Sequence, residues 1–219
     1  HLLSERQFLQ LKNSRNRFLL REREQKKYYN LKIGIAGLSV GASVATVLLL
    51  EGGGNYFKIA DKDKLGISNL NRVPAGVFQV GRPKVDIAAE TLYEINPYVE
   101  ISKFTAGIQK TSMKRFFTRP RLDLVIEEVD DLMIKYQIRL AAKKYRVPLI
   151  MATSLDSLLL IDYEAYNVDV ETKPFNGILT KNEMQSLNSK NIKKKAGGAI
   201  KIVGYENFSH RLRYSFSEL

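Results

Sequence analysis

The chain has 219 residues, 35 Lys and Arg against 23 Asp and Glu, a formal net charge of +12, 44% hydrophobic residues and no cysteine. That length can bury roughly 70% of its unfolded surface, and the composition is that of a globular protein rather than a disordered one. Disulfides, cysteine zinc sites and a cysteine nucleophile are excluded; with no secretory signal and no apolar run of about 18 residues, a cytoplasmic protein that does not span a membrane is expected.

Residues 2–29 are expected to form a basic amphipathic helix, broken near 13–16, with Leu2, Leu3, Phe8, Leu11, Phe18 and Leu19 as an interrupted apolar stripe. Strands and helices then alternate. Lys32–Ala36 reads as a strand, and Gly41–Glu51 as a helix stopped by Gly52-Gly53-Gly54. Tyr56–Ala60 reads as a strand and Pro83–Ile95 as a helix with proline in its first turn. Tyr98–Phe104 is expected as a strand, Ser112–Phe117 as a short helix, Asp123–Glu127 as a strand and Asp131–Tyr145 as a helix. Pro148–Ala152 and Leu158–Tyr163 complete the strands. Residues 181–204, polar, basic and punctuated by glycine, read as a mobile loop. The uncapped end YSFSEL reads as a truncation, and His1 in place of a methionine as missing sequence.

Strands separated by helices of 10–15 residues imply βαβ units. The expected fold is therefore α/β: a Rossmann-like, doubly wound, mostly parallel sheet with helices on both faces and an N-terminal helical extension. Apolar runs such as LDLVI and PLIMA suit strands covered on both sides. Ligands of such sheets bind beyond the carboxyl ends of the strands. The turn after Ala36, Asp61 and Asp130 all fall at that edge. The charge is uneven: residues 1–32 carry +6, residues 181–219 carry +5 and the middle only +1. Basic ends attract nucleic acid or an acidic protein, or form solvated helix faces. No nucleic-acid motif accompanies them, and nucleic acid is not the expected partner.

The turn GLSVGA, Gly37 to Ala42, is a nucleotide fingerprint with one departure. Gly37 permits the tight turn, Gly41 opens the helix, and Ser39 stands where a second glycine would let backbone approach phosphate. Asp61, at the end of the second strand, is placed to hold ribose hydroxyls. Up to here a nicotinamide-binding fold competes equally. The segments Ser68-Asn69-Leu70-Asn71-Arg72 and Gly81-Arg82-Pro83-Lys84 break the tie. They deliver two cations towards phosphates, as an enzyme that cleaves a triphosphate requires. Lys84 falls in the first turn of a helix, whose free N–H groups also favour anions. The acids of EEVDD, Glu127–Asp131, could hold Mg²⁺ or form a solvated loop, with Asp131 as a helix cap.

These residues resemble the ThiF/MoeB-like adenylating superfamily, which includes the ubiquitin-activating enzymes. The resemblance runs ungapped over residues 37–97, resumes through 123–152, and is strongest at SNLNR and the following GxxK. Its wording (SNLNRVPAG, EEVDD, PLIMATS) is most similar to a bacterial ThiF-like subgroup sometimes fused to a nitroreductase-like flavin domain. The resemblance implies a helical extension, residues 1–30, before a ThiF-like nucleotide-binding domain, residues 31–219. It implies a homodimer that binds ATP with Mg²⁺ and adenylates a carboxylate, either a small protein's C-terminus or a small acid. By position, Gly37, Ser39 and Gly41 belong to the phosphate-side turn. Asp61 would bind ribose, and Asn69, Arg72 and Lys84 the triphosphate. Asp130 would take the magnesium-associated and catalytic place. Arg17, in SRNRF, would reach the partner subunit's site as an arginine finger; otherwise it is a solvated helix residue. Ser39 departs from the family glycine, and the absent cysteines argue against a thioester relay. Two rivals remain open at this point: a non-catalytic nucleotide-binding scaffold, and a nicotinamide-dependent oxidoreductase.

Overall fold

The computed structural model describes residues 3–155, 158–186, 192–209 and 213–214. The chain divides into two compact units, His1–Glu128 and Val129–Leu219.

The first unit opens with α1 (Glu5–Lys12), a 3₁₀ turn (Ser14–Phe18) and α2 (Glu22–Tyr29). The break expected near 13–16 is present and extends to Arg21, because Asn13 ends α1 with non-helical backbone. Then come β1 (Lys32–Ala36), α3 (Gly41–Leu50), β2 (Tyr56–Ala60), α4 (Lys84–Ile95), β3 (Glu100–Phe104), α5 (Lys110–Thr118) and β4 (Leu124–Glu127). All three strand pairings of this unit are parallel: β2 lies between β3 and β1, and β1 between β2 and β4. Side-chain alternation along the strands sorts the helices. Ile33, Ile35, Phe57 and Ile59 pack with Ala45 and Leu49 of α3 and with Val85, Ala88 and Leu92 of α4. On the opposite face α5 and its exit cover the sheet, and a Cβ at Gly34 would meet Phe116 and Leu122. Helices on both faces, and the alternation expected of a Rossmann-like α/β fold, are present.

Lys58, on that second face, is fully buried. Its ammonium donates to the carbonyls of Arg115 (3.1 Å), Phe116 (2.8 Å) and Pro120 (2.7 Å). A cation at a helix C-terminus satisfies orphan carbonyls and the helix dipole together. Burial pulls its pKa down to about 8.

The N-terminal extension is tied to the C-terminal end of α3. Lys12 donates to the carbonyls of Leu49 (2.7 Å) and Leu50 (2.8 Å), Asn16 to that of Glu51 (2.9 Å), and Gln25 to that of Gly52 (3.0 Å). Three side chains thus satisfy the last carbonyls of one helix. The three glycines do more than stop α3: a Cβ at Gly53 would lie 2.2 Å from the Tyr28 ring. Gly53→Ala is therefore expected to cost about 1–3 kcal/mol through overpacking and to loosen the extension. A lower denaturation midpoint and faster tryptic cleavage within residues 21–27 would show it; an unchanged midpoint would contradict it.

The second unit contains α6 (Leu132–Tyr145), the antiparallel pair β5 (Leu149–Leu155) and β6 (Leu158–Glu164), α7 (Lys181–Ser186) and α8 (Ile192–Val203). Asp131 caps α6 as expected, accepting from the N–H groups of Met133 (2.8 Å) and Ile134 (3.0 Å). The mobile loop expected over 181–204 is corrected: both of its described parts are helical. The reason is burial, because Ile202 packs with Met151, Phe175 and Leu179, and Met184 packs against the same cluster. That gain overrides the poor helix propensity of Gly197 and Gly198. The end YSFSEL lies outside the described residues except for Tyr214.

A buried ionic cluster lies in the same unit. Arg139 has 0% exposure and sits over the Phe175 ring, 4.0 Å from its centroid. Its guanidinium faces Glu164 at 3.1 Å and Asp162 at 3.4 Å. Glu164 accepts the Phe175 N–H, and Asp162 accepts from the Asn176 side chain. Phe175 and Asn176 both have left-handed backbone, φ 54° and 49°, a conformation that surrounding contacts must enforce in non-glycine residues. Burial pushes the Glu164 carboxyl up to about 7, with Arg139 opposing the shift.

Candidate functional site

Parallel pairing places the ends of β1 and β2 side by side, with Ala36 opposite Ala60. The turn that follows β1 is built on Gly37, whose φ of 91° favours glycine. Gly37 N–H donates to the Ala60 carbonyl at 2.9 Å. Gly41 opens α3 so close to β1 that a Cβ there would lie 2.7 Å from Ile35 Cγ2.

Asp61 holds this edge together. Its Oδ2 accepts the Leu38 N–H and its Oδ1 the Asp63 N–H, each at 2.8 Å. The second bond is the local aspartate turn that such residues favour. Both carboxylate oxygens thus position backbone. An ionised carboxylate has about four acceptor positions, so two bonds leave lone pairs over.

Lys84 is the first residue of α4 and only 5% exposed. Its Nζ donates to Ser39 Oγ and to Asp63 Oδ2, each at 3.3 Å. Its backbone N–H donates to the Asp63 carbonyl at 3.0 Å. The structure therefore brings together Gly37, Ser39, Gly41, Asp61 and Lys84. It adds Asp63, which the sequence reading passed over. The signal was present in the Asp-Lys-Asp spacing, which lets an aspartate turn project a second carboxylate two residues on.

Asn69 and Arg72 sit on the loop between β2 and α4. Leu65, Val73 and Ile87 are buried together, with Leu70, Ala75 and Val80 against them, and so anchor that loop. Asn69 Oδ1 accepts the Gly66 N–H at 3.0 Å, an internal brace. Ser43 Oγ, in the first turn of α3, donates to the Arg72 carbonyl at 3.4 Å. The Arg72 guanidinium is exposed and donates to the Ser68 carbonyl (3.1 Å) and Asn71 Oδ1 (2.9 Å). The loop reaches the first turn of α3, while its arginine head folds onto its own loop.

Arg17 is not part of this cluster. It is exposed, donates from Nε to the Ser14 carbonyl at 2.9 Å, and follows Asn16, which is bound to Glu51. It thus stands beside the C-terminal end of α3, roughly 15 Å of helix from Gly41 at the other end. Asp130 is exposed and belongs to the second unit. Among the described residues no group of three or more His, Cys, Asp or Glu side chains could by itself hold a metal ion. No described helix is long and apolar enough to cross a membrane.

Comparison with known proteins places this edge in a lineage. The chain is 37% identical over 218 residues to the uncharacterized protein MT1398 of Mycobacterium tuberculosis, covering 100% of this chain and 30% of that protein. It is 28% identical over 138 residues to tRNA threonylcarbamoyladenosine dehydratase of Bacillus subtilis, covering 63% of this chain and 54% of the relative. It is 28% identical over 126 residues to molybdopterin-synthase adenylyltransferase of Escherichia coli, covering 57% of this chain and 49% of the relative. The chain thus spans between about a third and a half of the length of these curated relatives. Among solved structures, tRNA N6-threonylcarbamoyladenosine dehydratase (TcdA) of E. coli superposes with a TM-score of 0.62 at 20% identity, covering 67% of this chain and 59% of that one. That likeness establishes a shared fold. A family model described as "ThiF family" matches residues 13–189, from the end of α1 through β1–β6 and the Gly37–Lys84 edge, and the chain belongs to the ThiF family.

Proposed function

We propose that this chain is an adenylating domain that binds ATP and activates a carboxylate. The carboxylate oxygen attacks the α-phosphorus, the bond from the α-phosphorus to the bridging oxygen breaks, and pyrophosphate leaves with the electron pair. The observation that carries this reading is the buried Lys84 ammonium at the carboxyl edge of β1 and β2, beside the glycine turn, in a ThiF-family chain. Catalysis here is positioning and neutralisation of developing charge, with no protein nucleophile required. Lys84 and Arg72 supply cations, Asn69 braces the loop that carries Arg72, and Gly37, Ser39 and Gly41 form the phosphate-side turn. Asp61 fixes that turn and accepts from ribose.

TcdA structures that hold ATP and AMP and a relative named as an adenylyltransferase support the choice of nucleotide. Mg²⁺ takes one or two carboxylates and otherwise waters and phosphate oxygens, and on the family resemblance Asp130 is the candidate carboxylate for a metal carried by ATP. The acyl substrate is a small acid or a small protein's C-terminus, in line with relatives named as ubiquitin-like modifier-activating enzymes. A flavin nitroreductase-like domain would be a partner or a fusion, and the greater part of MT1398 lies beyond the match. The functional form is a homodimer acting in the cytoplasm, with Arg17 directed at the partner's site, since in its own chain it stands at the wrong end of α3.

Calorimetry with MgATP and with NAD tests the nucleotide assignment. MgATP is expected to bind at least tenfold more tightly, because only a triphosphate engages both Lys84 and Arg72. Preferential binding of NAD would sink the adenylation reading.

A further inference from the structure

Ser39, Lys84, Asp63, Asp61 and Leu38 form a closed circuit. Lys84 Nζ reaches Ser39 Oγ and Asp63 Oδ2, each at 3.3 Å. Asp63 N–H reaches Asp61 Oδ1, and Leu38 N–H reaches Asp61 Oδ2, each at 2.8 Å. Leu38 is bonded in sequence to Ser39, so the ring returns to its start. It joins three elements: the turn after β1, the exit of β2 and the first turn of α4.

The chemistry of the donors matters. An ammonium has three N–H donors and no acceptor. Two of the Lys84 donors are directed at Ser39 and Asp63, and the third is left for an anion. Ser39 Oγ accepts from Lys84, so its own O–H is left to donate, and among the described residues it has no acceptor. A glycine at position 39 would supply neither the acceptor for Lys84 nor that second donor. Asp63 is 57% exposed, so its carboxylate is hydrated and holds the ammonium without leaving a buried charge.

We propose that Ser39 and Asp63 are positioning residues for Lys84, and that the Ser39 hydroxyl is a further donor to the polyphosphate. The serine is thus a functional replacement rather than a damaged fingerprint. This inference rests on the adenylation reading for its ligand, but the placement of Lys84 can be tested without any nucleotide. At 3.3 Å both Lys84 contacts are longer than the roughly 2.7–2.9 Å of tight charge-assisted bonds, so they direct the ammonium while leaving it free to shorten onto an anion.

Two measurements decide it. The first is NMR of the lysine ¹⁵Nζ groups in the free protein. A buried ammonium held by two acceptors exchanges its protons slowly, so Lys84 should give a signal at neutral pH in the wild type, identified by its loss in Lys84→Met. Ser39→Ala and Asp63→Ala should each broaden that signal beyond detection, with an unchanged melting temperature. Persistence of the signal in both variants overturns the positioning role.

The second is calorimetry with MgATP and with adenosine. Ser39→Ala should weaken MgATP about tenfold, leave adenosine within twofold, and have no further effect in a Lys84→Met background beyond about threefold, the share of the hydroxyl itself. Ser39→Thr, which restores a hydroxyl, should recover most of the loss. An equal loss for adenosine, or a full tenfold loss that adds to Lys84→Met, identifies a merely structural serine and overturns the inference. If the wild type binds no MgATP while the ¹⁵Nζ result holds, the adenylation reading and the hydroxyl's contact with polyphosphate fail, and the positioning of Lys84 stands.

Discussion

Lys84→Met is expected to lower ATP–pyrophosphate exchange roughly 10²–10³-fold, about 3–4 kcal/mol of transition-state stabilisation, the usual loss when one preorganised charge contact is removed. The size follows from burial. The ammonium is 5% exposed and held on Ser39 and Asp63, so it meets developing charge without having to reorganise. Methionine keeps most of the volume, and the Asp63 carboxylate it leaves behind is exposed enough to be hydrated. The fold should therefore survive, with circular dichroism and melting temperature near the wild type. Exchange within threefold of wild type, with an acyl substrate present, would remove Lys84 from the mechanism. The same variant tests the shared site: mixed with Arg17→Ala subunits, it should recover partial activity from heterodimers with one intact site. No recovery despite demonstrated subunit exchange would make Arg17 a solvated residue.

Arg139→Met is expected to destabilise the second unit by about 3–5 kcal/mol at pH 8, the range for removing one partner of a buried ion pair. Arg139 and Glu164 both have 0% exposure, and Asp162 is largely enclosed. Without the guanidinium, two carboxylates face each other and the Phe175 ring loses its cation. The penalty should shrink towards pH 6. Glu164 has its folded pKa raised from 4.5 to about 7, burial being the main cause. A carboxyl so raised contributes stability that is fully present below pH 4.5 and lost as pH rises through about 7. Losing the arginine pushes that carboxyl further up, so acid neutralises the orphan while alkali leaves it charged. Glu164→Gln in the Arg139→Met background should recover part of the loss at pH 8 and little at pH 6. Urea denaturation at the two values reads this directly, and a loss that does not depend on pH would contradict it.

Gly37–Lys84 was readable in outline because its signals are local. A strand ending before glycine, an acid at the end of the next strand, and proline before Lys84 each specify backbone through neighbours in the chain. The same holds for Asp131 at the head of α6 and for the alternation of β1, α3, β2 and α4, which hydrophobic period alone reveals. What joins Ser39 to Lys84, 45 residues away, is different in kind. It depends on the parallel register that sets Ala36 beside Ala60 and on the packing of α4 against β2, so the serine read as a lost glycine and Asp63 went unread. The N-terminal extension shows the same division: its basic, apolar-striped sequence announced helices, but only packing against Gly52 and Gly53 decided that Lys12, Asn16 and Gln25 would cap α3. In the second unit, residues 192–203 look like a loop by composition, since the stretch is polar and basic and its paired glycines disfavour a helix. Burial of Ile202 against Met151 and Phe175 makes them a helix. Local preference is worth tenths of a kilocalorie per residue, whereas burying a large apolar side chain is worth about 1.5–3 kcal/mol. Where the two disagree the tertiary contact wins, and its partners lie too far along the chain for any local pattern to name.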